Sequence, residues 1–108
     1  MKIQLITFPG CPNAKAARAT LERVLARAGV VDRIEEVDTT ALETAEELRA
    51  WGSPTVLVEG KDVGGQVEPT GTSCRLYRDD DGMVQGSPPE ALLSAAMGLA
   101  RGRSRQSL

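Results

Sequence analysis

The order of elements in residues 2–37 constrains the fold more than any other feature. Lys2 to Phe8 is a short run rich in Ile, Leu, Thr and Phe that stops at Pro9-Gly10, which reads as a strand. Its near-continuous apolar character (Ile3, Leu5, Ile6, Phe8) suits a strand covered on both faces. After Cys11-Pro12-Asn13, the residues Ala14, Ala17, Leu21, Val24, Leu25 and Ala28 share one face of a helix. Lys15, Arg18, Glu22 and Arg23 fall on the other face. Pro12 suits the first helical turn, where its missing N–H is no loss, and Gly29 is a natural terminator. Asp32 to Val37 is a second strand. Strand, helix and strand in this order imply two parallel strands joined by a helical crossover.

Thr40 and Glu43 have the spacing of a capping box, which predicts a helix to about Ala50 with Leu42, Ala45 and Leu48 on its buried side. Trp51-Gly52-Ser53 ends it, and Pro54 precedes Thr55-Val56-Leu57-Val58, the clearest strand in the chain. Glu59-Gly60-Lys61 reads as a turn and Gly64 to Ser73 as a loop. Cys74 to Arg78 reads as a fourth strand, with a turn at Asp79 to Gly82. Ser87 and Glu90 repeat the capping-box spacing around Pro88-Pro89 and open a helix to about Ala100. The expected organisation is one domain over residues 1–100, with a flexible, basic tail over 101–108 that carries Arg101, Arg103 and Arg105.

With 108 residues, 41% of them hydrophobic and 26% charged, the chain can bury a core without disulfides or metal. A net charge of −2 gives no general attraction to nucleic acid or to an anionic membrane. No segment approaches the roughly 20 apolar residues of a membrane span, and no signal peptide is read at the N-terminus. A cytoplasmic location with reduced thiols is the expectation. The absence of histidine excludes a Ser/His or Cys/His nucleophile pair and any His-ligated metal site. No cofactor is called for.

Chemistry therefore rests on Cys11 and Cys74. Cys11 lies where a helix begins, and free N–H groups with the positive end of the helix dipole favour thiolate over thiol there. Lys15 is one turn on. A thiolate is both a nucleophile and a soft-metal ligand. The alternative is a small buried apolar residue, as cysteine often is. Cys74 either resolves a mixed disulfide on Cys11, completes a two-thiolate site, or is inert in a strand. Extended chain covers about 3.3 Å per residue, so the loop before Cys74 is long enough to return to the Cys11 end of the sheet.

Phe8-Pro9-Gly10-Cys11-Pro12 between a strand and a helix, with Gly52-Ser53-Pro54-Thr55 before a third strand, resembles the thioredoxin-like superfamily. That resemblance covers nearly the whole chain. It implies an α/β/α three-layer domain with a mixed central sheet of about four strands and about three helices. It also implies a cis Pro54 facing Cys11, with the backbone groups of Ser53 presented to an extended thiol partner and Pro12, Ser53, Pro54 and Thr55 lining the substrate site. If Cys74 opens the fourth strand in thioredoxin order, it begins at the end opposite Cys11. The superfamily's redox enzymes carry Cys-x-x-Cys, whereas here the fourth position is Ala14. The chain is similar to small bacterial thioredoxin-like proteins with Phe-x-Gly-Cys-Pro, Gly-Ser-Pro-Thr and a later Cys-Arg-x-Tyr, which is Cys74-Arg75-Leu76-Tyr77 here. Some of that group are labelled alkylmercury lyase-like.

Four functions are open on these residues. The first is thiol redox chemistry, with Cys11 attacking a disulfide, peroxide or thiol adduct and Cys74 or glutathione resolving it, toward a thiol or disulfide protein or a small thiol. The second is soft-metal binding, with Cys11 and Cys74 holding Hg(II). The third is carbon–mercury cleavage, for which Asp62 and Asp79 are the available guesses as proton donor. The fourth is a module without chemistry that binds a partner along the Pro54 loop.

Overall fold

The apolar run at the N-terminus forms β1 (Ile3–Thr7), and the helical face after Cys11 forms α1 (Ala14–Ala28). Gly29 ends α1 with φ +69°, and its amide bonds back to the last turn. β2 (Ile34–Asp38) then pairs parallel to β1, with Ile3 opposite Ile34 and Thr7 opposite Asp38. The crossover expected from the sequence is present. These elements come from a computed structural model, which describes residues 1–69, 71, 74–79 and 81–106, with backbone alone over 99–106.

The next stretch departs from expectation. α2 is a single turn (Glu46–Arg49), and Leu42 is 91% exposed. The Asp38 carboxylate accepts from both the amide and the hydroxyl of Thr40, at 2.8 and 2.6 Å. Thr44 donates its hydroxyl to the Asp38 carbonyl, and Arg49 donates to the carbonyls of Ala41 and Leu42. Asp and Thr side chains offer backbone groups partners other than a helix ladder. Here Asp38 engages Thr40 before a capping box forms with Glu43.

β3 (Thr55–Val58) pairs antiparallel with β1, Ile6 opposite Thr55 and Ile3 opposite Val58. Glu59 (φ +53°) and Gly60 (φ +80°) turn the chain into β4 (Lys61–Asp62), which pairs antiparallel with β3. Positive φ at both central residues is the two-residue hairpin turn that matches strand twist. The sheet is mixed and four-stranded, in the order β2-β1-β3-β4. Its fourth strand is therefore Lys61–Asp62 and not Cys74–Arg78. Only β5 (Tyr77–Arg78) of the latter stretch is a strand, and it forms a separate ribbon with β6 (Val84–Gln85) around the expected turn.

α3 (Glu90–Gln106) starts where expected but by another device. The Glu90 carboxylate reaches Arg23 and Arg27 of α1 at 3.2 and 3.0 Å instead of turning back to Ser87. The helix also runs past residue 100 to Gln106, since arginine is a good helix former and no proline intervenes. Residues 107–108 of the expected tail lie outside the described residues.

Side chains alternate across the strands. On one face Ile3, Leu5, Val56 and Val58 pack against Ala17, Leu21, Val24 and Leu25 of α1 and Leu93 and Met97 of α3. On the other, Ile6, Val37, Leu57 and Trp51 form a smaller cluster against Leu48. Each fully buried aliphatic side chain contributes about 1.5–3 kcal/mol. Among the described residues, no helix is long and apolar enough to cross a membrane.

Candidate functional site

Cys11 sits between β1 and α1 in two consecutive turns. Its amide donates to Phe8 at 3.2 Å, and its carbonyl accepts from Ala14 at 3.3 Å. Gly10 has φ +84°, which a residue with a side chain rarely adopts. The first helical bond runs from Ala17 to Asn13, so α1 begins at Ala14 rather than at Pro12. The sulfur belongs to a turn that leads into the helix. Cys11 is half-buried, and Pro12 and Lys15 are exposed.

The Ser53–Pro54 peptide bond is cis, as the resemblance implies. The loop around it is closed upon itself. Thr55 donates its hydroxyl to the Gly52 carbonyl at 2.6 Å, Arg75 its amide to the Ser53 carbonyl at 2.9 Å, and Tyr77 its phenol to the Pro54 carbonyl at 2.5 Å. Ser53 and Thr55 are fully buried, and Pro54 is under 2% exposed. Of the residues expected to line a substrate site, Ser53, Pro54 and Thr55 therefore present no surface to a partner, and Pro12 does. The buried Ser53 hydroxyl has no hydrogen-bond partner among the described residues.

Cys74 lies beside this loop. It forms a parallel bridge with Ser53 and is exposed. Because β3 runs antiparallel to β1, Ser53 precedes β3 at the sheet end where Cys11 follows β1. Both cysteines are at that end of the sheet, and the opposite-end placement expected of a fourth strand at Cys74 does not occur.

A buried network behind Cys74 fixes the segment. Arg75 forks onto Asp62, with Nη1 to Oδ1 at 2.7 Å and Nη2 to Oδ2 at 3.1 Å, and Nη1 also reaches the Thr55 hydroxyl at 3.1 Å. The guanidinium lies over the rings of Tyr77 and Trp51, at 4.6 and 5.9 Å from their centroids. The two aromatics thus share one cation. Burial acts against the charge on Arg75, but the bond to Asp62 and the neighbouring Tyr77 hold its pKa above the ordinary value. Burial likewise raises the pKa of the Tyr77 phenol. Gly64 packs in this network, where a Cβ would meet Arg75 Nη2 at 3.0 Å and Asp62 Oδ2 at 3.1 Å.

The two guessed proton donors have structural tasks. Asp62 has both oxygens on Arg75, accepts the Gln66 amide, and has no exposed side-chain surface. Asp79 accepts the amides of Asp81 and Met83 in the ribbon turn. Carbon–mercury cleavage loses both guesses. Just before α1, Gly86 packs directly on the Asn13 carboxamide, where a Cβ would press on that side chain.

In the sequence Asp62 stands only as a guessed proton donor, and Arg75 and Tyr77 only within the Cys-Arg-x-Tyr likeness; the network that joins them and the packing of Gly86 on Asn13 come from the structure. One signal was present: Arg75 and Tyr77 are two apart, which places them on one face of an extended segment. Among the described residues, no group of three or more His, Cys, Asp or Glu is arranged to hold a metal ion. The chemistry available is that of two thiols at one sheet end, one half-buried in a turn and one exposed on a clamped segment. Compared with protein-family models, with curated proteins and with solved structures, the chain matches none.

Proposed function

We propose that the chain is a thioredoxin-like thiol redox protein, of the three-layer α/β/α type, in which Cys11 is the nucleophile and Cys74 resolves. The observation that carries this reading is the Ser53–Cys74 bridge, which holds Cys74 at the sheet end that bears the Cys11 turn. The Cys11 thiolate attacks one sulfur of a disulfide, forming a mixed disulfide and releasing one thiolate. The Cys74 thiolate then attacks the Cys11 sulfur, expels the second thiolate and leaves a Cys11–Cys74 disulfide. Two electrons pass from the protein to the substrate. A second thiol at the same sheet end makes that step intramolecular and raises its effective concentration. In a reducing compartment such as the cytoplasm, the pair starts as two thiols.

The test is a mild oxidant added to dilute protein, followed by thiol counting and mass spectrometry of the monomer. A reversible intramolecular disulfide, with both thiols lost together, is expected. Modification of Cys11 alone would remove Cys74 from the mechanism.

The same juxtaposition favours one second reading. Two thiolates at one sheet end suit linear two-sulfur coordination of a soft cation such as Hg(II), taken as cargo. Equal Hg(II) affinity in the wild type and in Cys74→Ser would count against it.

A further inference from the structure

An extended polypeptide docks on a sheet edge by exchanging main-chain hydrogen bonds with it. Beside the Cys11 turn, the backbone suited to that exchange is the loop entering β3. Its carbonyls at Gly52, Ser53 and Pro54 accept from Thr55, Arg75 and Tyr77 of the same chain. Pro54 has no N–H to give. Gly71 and the Cys74–Arg75 pair meet this segment, with the Gly71 amide on the Ala50 carbonyl, Cys74 bridged to Ser53, and the Arg75 amide on the Ser53 carbonyl. Ser53 and Thr55 have no accessible surface, and Pro54 has almost none.

This self-pairing is not loosely held. Arg75, the residue that bonds Ser53, is anchored through its side chain to Asp62 and Thr55 and lies over Tyr77 and Trp51. Removing the segment would strip a buried carboxylate of its counter-ion, which is strongly unfavourable. A partner strand would have to displace it to reach the loop.

We infer that the site exchanges with low-molecular-weight disulfides and not with polypeptides laid along the Pro54 loop. The chain's own Cys74 segment holds the position such a strand would take. This inference rests on the reading of Cys11 as a redox thiol and names its substrate class. The reaction is the one given above: Cys11 takes one half of a small disulfide, one thiolate leaves, and Cys74 displaces the other half.

The test uses reduced full-length protein and a series of disulfide substrates. The series starts at glutathione disulfide and extends to disulfide-linked peptides of increasing length, matched in thiol pKa. The second-order rate of Cys11 modification is read by quenched mass spectrometry, with Cys74→Ser used to trap the mixed disulfide. The expected result is exchange with glutathione disulfide and no gain with peptide length. A rise of about tenfold or more with length, which corresponds to about 1.4 kcal/mol of added contact, overturns the inference and leaves Cys11 a redox thiol. Failure of Cys11 to exchange with any member of the series overturns both this inference and the reading beneath it.

Discussion

Arg75 grips both carboxylate oxygens of Asp62, at 2.7 and 3.1 Å, in a place where the two side chains are 6% and 0% exposed. The pair joins β4 to the segment that carries Cys74, so it links the sheet to the thiol. A buried pair of this kind is most costly when only one partner is removed, because the other is left as an uncompensated charge. Arg75→Met is therefore expected to lower stability by about 3–5 kcal/mol. The double variant Arg75→Met/Asp62→Leu is expected to recover most of that loss. Urea denaturation of the three proteins measures both, and equal losses in single and double variants would refute the clamp.

Gly86 and Asn13 form a second contact near the Cys11 turn, between the β5–β6 ribbon and the residue that precedes α1. Gly86→Ala places a methyl group against the Asn13 carboxamide, which has to rotate away. The expected cost is about 1 kcal/mol, at the low end for added volume in a packed place. In an Asn13→Ala background the cost should vanish, so a double-mutant cycle should give a coupling of similar size. Additive effects would mean that the ribbon and the turn do not press on each other.

These two contacts also show why part of the molecule was legible in the sequence and part was not. Thr55–Val58 and α1 with its Gly29 cap are local patterns, carried by β-branched runs, helical spacing and a left-handed glycine, and they form as read. Thr40 and Glu43 carry an equally local pattern, yet Asp38, just upstream, offers the Thr40 backbone a better partner. Lys61–Asp62 is too short and polar to show any period, and it becomes a strand because the Glu59–Gly60 turn returns it to β3. The placement of Cys74 depends on contacts 13 to 23 residues apart in the chain, Arg75 with Asp62 and Tyr77 with Pro54. No window of sequence periodicity reports such contacts. The cis Ser53–Pro54 bond was reached through the resemblance and not from local pattern.

Ser53 supplies a test of what the loop does not do. Its hydroxyl is buried and has no partner among the described residues, and a buried polar group without a partner costs about 1–3 kcal/mol. Ser53→Ala removes that group and leaves the backbone bond to Arg75 intact. The expected outcome is equal or higher thermal stability, by up to about 1 kcal/mol, with an unchanged rate of Cys11 exchange. A slower exchange in a well-folded variant would give the hydroxyl a part in the chemistry.

Two exposed carboxylates contribute to the acid limb of stability. Hydrogen bonds from Arg23 and Arg27 lower the pKa of Glu90 below 4.5, and bonds from Thr40 lower that of Asp38 below 3.8. A carboxyl group whose pKa is depressed in the folded state binds protons more readily when unfolded. Its contribution is thus complete above the unfolded value and is lost as pH falls through the folded one. Stability is expected to decline as pH drops below 4.5, and Glu90→Gln should flatten that decline while lowering stability at neutral pH. Denaturation midpoints at a series of pH values and at two salt concentrations check this, and added salt should weaken the effect because all the groups are exposed.

Cys74→Ser separates the two thiols with the smallest change in shape. Cys74 is exposed, and the bonds that hold its segment come from the Arg75 amide and side chain, so the fold should be unaffected. With the resolving thiol gone, Cys11 is expected to accumulate as a stable mixed disulfide with a small thiol, where the wild type passes on to the internal disulfide. Release of the second thiolate should slow by 10²-fold or more, on the order of what an intramolecular thiol provides over a dilute external one. Cys11→Ser is expected to abolish the first step. If Cys74→Ser turned over at the wild-type rate with glutathione present, the external thiol would be the resolving group, and the bridge between Ser53 and Cys74 would serve the architecture of the loop alone.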